Sequence, residues 1–196
     1  MCTDRPVCSP NFNVRCHVAP GRWLTFFVLN TGGKALEWFH DTFCPEMGED
    51  RFYAEYIPGV LGRFFASSDI DRREADLPEY IPFLGGCRYT VEQMKASFNG
   101  VTLETTRDDM LLSVIRGNAR YHGQHLHELR GMVKLGRRMM TTGGGAKIGG
   151  YIDAKRRWTG DFEYLYQDQS SVRGAGMLGR QYLQRAGELK LHLQEA

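Results

Sequence analysis

The stretch MMTTGGGAKIGGYIDAKRRW, residues 139–158, passes from apolar residues through three consecutive glycines into a helical repeat. Ile148, Tyr151, Ile152 and Lys155 recur on one helical face, so the segment reads as strand, glycine turn, helix. Just downstream, Phe162, Tyr164 and Tyr166 alternate as a strand does, and Ser170 or Ser171 can cap a small-residue helix running through Gly174-Ala175-Gly176. Strands alternating with helices predict right-handed βαβ units and an α/β class for this half.

Upstream lies the longest periodic element. Leu111, Ile115, Ala119, His122, Leu126, Leu129 and Val133 step by three or four residues, which predicts a helix of roughly seven turns with one face inward. Thr105 or Thr106 can cap it, and Asp108 and Asp109 suit the positive end of its dipole. His122 is the polar member of the stripe. Before it, Tyr80–Leu84 and Ala96–Gly100 read as short strands ending in glycine turns, and the charged run Ala66–Asp76 as a solvated loop or exposed turn.

At the N-terminus, Val14, Cys16 and Val18 alternate with polar residues, Ala19-Pro20-Gly21 turns the chain, and Trp23–Leu29 completes a β-hairpin. Gly32-Gly33 interrupts. Ala35, Trp38, Phe39 and Phe43 then mark a helix stopped by Pro45, and Glu49-Asp50 opens a short one ending before Pro58. The whole predicts one mixed-sheet α/β domain with an N-terminal hairpin and flanking helices.

The composition agrees. With 196 residues, 42% hydrophobic, the chain can bury about 70% of its unfolded surface without disulfide or metal staples. A net charge of +2 supplies no bulk field for nucleic acid or anionic lipid, so neither is an expected partner. Five cysteines, Cys2, Cys8, Cys16, Cys44 and Cys87, form no CxxC pair and read as reduced thiols of a cytoplasmic protein. Trp23–Leu29, the most apolar run, is too short to span a bilayer.

Chemistry concentrates at Thr142–Lys147. Glycines before a helix let backbone N–H groups approach a phosphate or ribose closely, and they equally serve tight strand-to-helix packing. The spacing is neither GxGxxG, since Ile148 takes the last glycine's place, nor a P-loop. His122, His125 and His127 with Glu128 suggest a metal, but on a helix residue 127 lies about 200° round from 125, so the expectation is no metal site, a core His122 and surface His125 and His127. The basic groups Arg72-Arg73, Arg137-Arg138 and Lys155-Arg156-Arg157 are scattered and matched by acids. Neither GxSxG nor HExxH occurs.

Taken in order, YIPFLGG (80–86) with Arg88, ASFNGVTLETTRDDMLLSVI (96–115), TGGGAK (142–147) and GAGML (174–178) resemble the C-terminal domain of the FGGY carbohydrate kinases. Ala96, Phe98, Gly100, Val101, Asp109, Met110 and Ser113 fit the family's second signature. Arg116 stands where that signature usually closes on an acid, and Cys87 where Gly-Glu-Arg is common. GGKALEWF (32–39) looks closest to the pentulose kinases such as xylulokinases.

The resemblance implies a ribonuclease H-like, actin-type fold in which ATP lies between two domains. This chain then corresponds to the nucleotide-binding half, residues 1–196, cut near the start of that half. Gly144, Gly145, Ala146 and Gly149 resemble the nucleotide loop, and Gly100, Thr102 and Glu104 the opposite wall. The catalytic base Asp, the first phosphate loop and most Mg2+ and sugar contacts belong to the N-terminal domain, so this chain alone is expected to be inactive. Two other readings stand beside it: a free-standing, non-catalytic domain of the same fold that binds a partner, and a metal enzyme using His122 and His125.

Overall fold

The computed structural model describes residues 1–194, with side chains of the last helix described as far as Arg185. Its strands form three small sheets rather than the single mixed sheet expected. The N-terminal hairpin pairs β2 (Asn13–Cys16) with β3 (Trp23–Phe26), and β1 (Cys2–Thr3) adds to the other edge of β3, all antiparallel. β4 (Glu79–Ile81) and β5 (Ser97–Asn99) form an antiparallel pair, and β6 (Arg138–Thr141) and β7 (Glu163–Tyr166) a parallel one. Each pairing satisfies its own backbone, and helices rather than further strands cover the apolar sides.

α1 (Lys34–Phe43) buries Ala35 and Phe39 of the expected stripe and adds Leu36, while Trp38 and Phe43 are only half-buried. The next helix does not stop at Pro58. α2 (Glu49–Arg51) passes through a π-helical turn, Phe52–Tyr56, into α3 (Ile57–Phe65). The Ile57 N–H reaches back to the Phe52 carbonyl, and this widened turn lets Pro58, which has no N–H and a bulky ring, enter a continuous helix. Phe52, Ile57, Val60, Leu61 and Phe64 are thereby all buried.

The charged run contains α4 (Ile70–Asp76), and its charges are not simply solvated. The side chain of Glu74 is only 13% exposed and pairs with Arg120 at 2.7 Å and with Arg157. Arg116, buried, donates to the carbonyls of Glu74, Leu77 and Pro78, capping the end of α4.

The organising element is α5 (Arg107–Met132). Thr106 and Asp109 form a reciprocal capping box, as the first-turn acids implied, while Asp108 instead accepts from Tyr56 and Arg63 at 2.7 Å each. Leu111, Leu112, Val114 and Ile115 enter the main core with α1, α3 and β4. Farther along, Leu129 joins Val7 and Phe12 in a smaller core beneath the N-terminal sheet. α6 (Tyr151–Trp158) connects β6 to β7, and α7 (Ser170–Gln194) follows, so the βαβ reading of this half holds.

A candidate nucleotide cleft

The glycine turn leaves β6 at Thr141, takes Gly143 at φ +88°, and makes one 3-10 turn over Gly144–Lys147 before Gly150, at φ +78°, starts α6. A side chain at either positive-φ position would be strained, which accounts for two of the glycines. Gly149 and Gly150 also pack closely. A Cβ on Gly149 would meet Pro58 at 3.3 Å, and one on Gly150 would meet Leu61 at 3.0 Å. These two have internal reasons to be glycine.

Gly144 and Gly145 do not. A Cβ on Gly144 would have no neighbour within 4 Å, and one on Gly145 would only touch Tyr151 at 3.9 Å. Tight packing, the alternative the sequence left open, therefore explains the second half of the run but not these two residues. Both line a cleft of about 780 Å³ with Gly33 and Leu36 of the α1 entrance, Glu49, Asp50 and Tyr53 of the following helix, and Lys147. The volume falls in the range of small-molecule and cofactor sites. The Gly144 and Gly145 N–H groups open the 3-10 turn and so have no partner inside it.

Charge is distributed unevenly along these walls. Glu49 and Asp50 make one end acidic, and there burial, with Glu49, Glu37 and Asp41 nearby, holds the Tyr53 phenol above its usual range. At the other end the Tyr166 hydroxyl and Asp168 hold Lys147 firmly protonated, with its ammonium 3.7 Å from Asp168. Lys147 and Gly144 continue into a second hollow of about 310 Å³ bounded by Gly143, Asp168 and Ser170.

Not all the nominated residues meet here. Ala146 sits on the same turn without lining the cleft, and Gly149 faces Pro58. Gly100, Thr102 and Glu104 lie on a separate exposed loop after β5, outside the cleft's walls. Gly100 takes φ +80°, and Thr102 folds the loop by accepting from the Glu104 N–H while its own N–H bonds Thr105. Gly33, Leu36, Glu49, Asp50 and Tyr53 escaped the sequence reading, in which Gly32-Gly33 was a break and Glu49-Asp50 a helix start.

The histidines sort differently from expectation. His125 is buried, not surface: it stacks on Phe27 at 4.5 Å and places Nδ1 2.9 Å from the Tyr121 carbonyl. His122 is partly buried beside it, 5.5 Å from Phe27. Among the described residues no group of three His, Cys, Asp or Glu side chains is placed to hold a metal, and no described helix is long and apolar enough to cross a membrane. All five cysteines are free thiols.

Solved structures share this architecture. A xylulose kinase from Rhodospirillum rubrum superposes with a TM-score of 0.63 at 17% identity over 79% of this chain and 29% of its own. A xyloylose kinase from Brucella ovis gives 0.60 at 18% identity, again over 79% of this chain and 30% of that one. The chain has a sugar-kinase-like fold. At such identity the likeness concerns the fold, and the chain spans less than a third of the length of either kinase. No protein-family model matches the sequence, and no curated protein matches it.

Proposed function

We propose that this chain is the ATP-binding half of a carbohydrate kinase, one that transfers the γ-phosphate of ATP to a sugar hydroxyl, with a pentulose such as xylulose the favoured acceptor. The carrying observation is the pair Gly144 and Gly145, whose lack of side chains serves no internal packing but opens a cleft of nucleotide size. The order of motifs shared with FGGY kinases and the sugar-kinase-like fold support the same reading.

The residues present fit the nucleoside better than the chemistry. Leu36 and Ile148 offer apolar contacts to a base, Tyr53 an aromatic one, and the glycine turn donors to ribose or phosphate. ATP brings the transferable phosphoryl group, and Mg2+ neutralises charge on it. The reaction also needs a base to take the sugar's proton. The proposal assigns that base, the sugar and most Mg2+ contacts to an N-terminal partner domain that closes over the cleft.

Titration calorimetry of the purified chain with ATP and ADP tests this. Weak adenine-nucleotide binding is expected, with no phosphorylation of xylulose. Gly145→Asp should fold, since the residue is exposed and a Cβ there meets only the Tyr151 ring, at 3.9 Å. A carboxylate about 5 Å from a phosphate costs on the order of 1–3 kcal/mol at effective dielectrics of about 80–20, weakening binding roughly 5- to 150-fold. Undetectable binding at millimolar nucleotide would refute the site, and robust phosphorylation by the chain alone would refute its being half of an enzyme.

A further inference from the structure

Between α5, α6 and the turn before α1 lies a further, much smaller cavity of about 40 Å³, lined by Gly32, Asn118, His122, Tyr151, Lys155 and Thr159 among others. Its polar groups are unusually short of partners. Asn118 is 4% exposed; its Nδ2 donates to the Gly32 carbonyl at 3.3 Å, which leaves Oδ1 buried with no partner. The Lys155 ammonium lies 5.9 Å from the centroid of the Tyr151 ring, with no carboxylate paired to it among the described residues. Lys155 is half-buried and its charge has no counter-charge among the described residues, while Asn118 Oδ1 is a buried acceptor without the donor such an atom normally has.

We propose that this cavity binds a small monovalent anion of chloride size, with Lys155 as its charge partner and one water beside it on Asn118 Oδ1. A water needs about 10–15 Å³ of such space, so the cavity has room for an ion and a water but not for a sugar phosphate or nucleotide. Lys155 and a ring N–H of His122 then donate to the ion, Thr159 already being engaged with the Ala119 carbonyl at 3.0 Å. The water donates to the ion and to Asn118. Every open group acquires a partner of the right sense.

Protonation agrees with a vacant counter-charge. Burial, then the Lys155 charge and then His125 push the His122 imidazole down to about 4, and burial pushes Lys155 below its usual range. An anion between them reverses the Lys155 effect on His122. The cavity and the larger cleft are lined by different residues, although Gly32 of the one adjoins Gly33 of the other and the Tyr151 ring lies near Gly145. The proposal itself does not depend on nucleotide binding.

The test compares sodium chloride with sodium gluconate at equal ionic strength, using thermal unfolding of the full chain and NMR titration of His122. Chloride at ten times its Kd should raise Tm by roughly 3–6 °C, and Lys155→Met should abolish the difference. His122 should titrate at least about one unit higher in chloride, the direction expected of a nearby anion. Equal Tm in both salts, an undiminished response in Lys155→Met, or identical His122 titrations would overturn the proposal and leave a water-filled cavity. Should Lys155→Met not fold, the wild-type titration decides alone.

Discussion

Replacing Gly117 by alanine should destabilise the protein, although alanine is the better helix former, and replacing Gly131 on the same helix should do the reverse. A Cβ at residue 117 would lie 2.5 Å from the Tyr80 carbonyl oxygen and 2.8 Å from its ring. A carbon–oxygen contact needs about 3.3 Å, so β4 would have to retreat by about 0.8 Å from α5. The obstacle is backbone, tied into the β4–β5 ladder, and cannot rotate aside. Overpacking of that kind costs about 3 kcal/mol at the upper end of its usual range, and the gain in helix propensity returns about 1 kcal/mol. The net loss of about 2 kcal/mol corresponds to a Tm lower by roughly 4–8 °C for a chain of this size. A Cβ at residue 131 meets nothing within 4 Å, so Gly131→Ala should raise Tm by roughly 1–4 °C. Scanning calorimetry of the two variants decides the matter. Shifts of the same sign, or an unchanged Gly117→Ala, would mean that α5 and β4 do not meet as described. The consequence reaches the function, because β5, paired with β4, carries the Gly100–Glu104 loop.

Arg116→Glu, which introduces the acid common at this place in the FGGY signature, should cost roughly 3–5 kcal/mol in urea denaturation, since it turns a buried carboxylate toward three carbonyl oxygens; a neutral result would remove the capping role of Arg116. In chloride-free buffer, the folded-state depression of His122 to about 4 means the unfolded chain binds that proton more readily. Its contribution is therefore complete above pH 6.5 and is lost as pH falls to 4, on the order of 3 kcal/mol in all. His122→Leu should flatten stability against pH in that window, and an unaltered slope would contradict the burial of the imidazole. Gly145→Asp, by contrast, should leave Tm within about 2 °C of the parent while weakening nucleotide binding, because its side chain meets no backbone.

Where local chemistry decides, the sequence was a sufficient guide. The capping box of Thr106 and Asp109, the α1 stripe and the β6–α6–β7 unit all rest on neighbours within a few turns of chain. Readings failed where distant partners intervene. Pro58 stays inside a helix because a π turn precedes it and its ring packs against Gly149. His125 is buried because it lies one turn before Leu129 at the edge of the same stripe, where Phe12 and Phe27 under the N-terminal sheet cover it; the stripe alone does not show how far that distant cover extends round the helix. Glu74 looked like one more charge in a polar run until Arg120 and Arg157 arrived from two other helices.

The candidate site follows the same division, and this bears on how the proposed function would operate. Gly144 and Gly145 were legible because three glycines after a strand are a local signal, whereas Gly33, Glu49 and Tyr53 join them only through tertiary packing, with α1 on α5 and α3 on α6. Gly100, Thr102 and Glu104 remain on their own exposed loop, where Val101 and Leu103 present apolar side chains to solvent. In a two-domain kinase such a loop would acquire its ligand only when the partner domain closes. On that reading, nucleotide affinity measured on this chain reports the Gly144 wall alone, and substitutions at Thr102 or Glu104 should leave it unchanged until the partner domain is supplied.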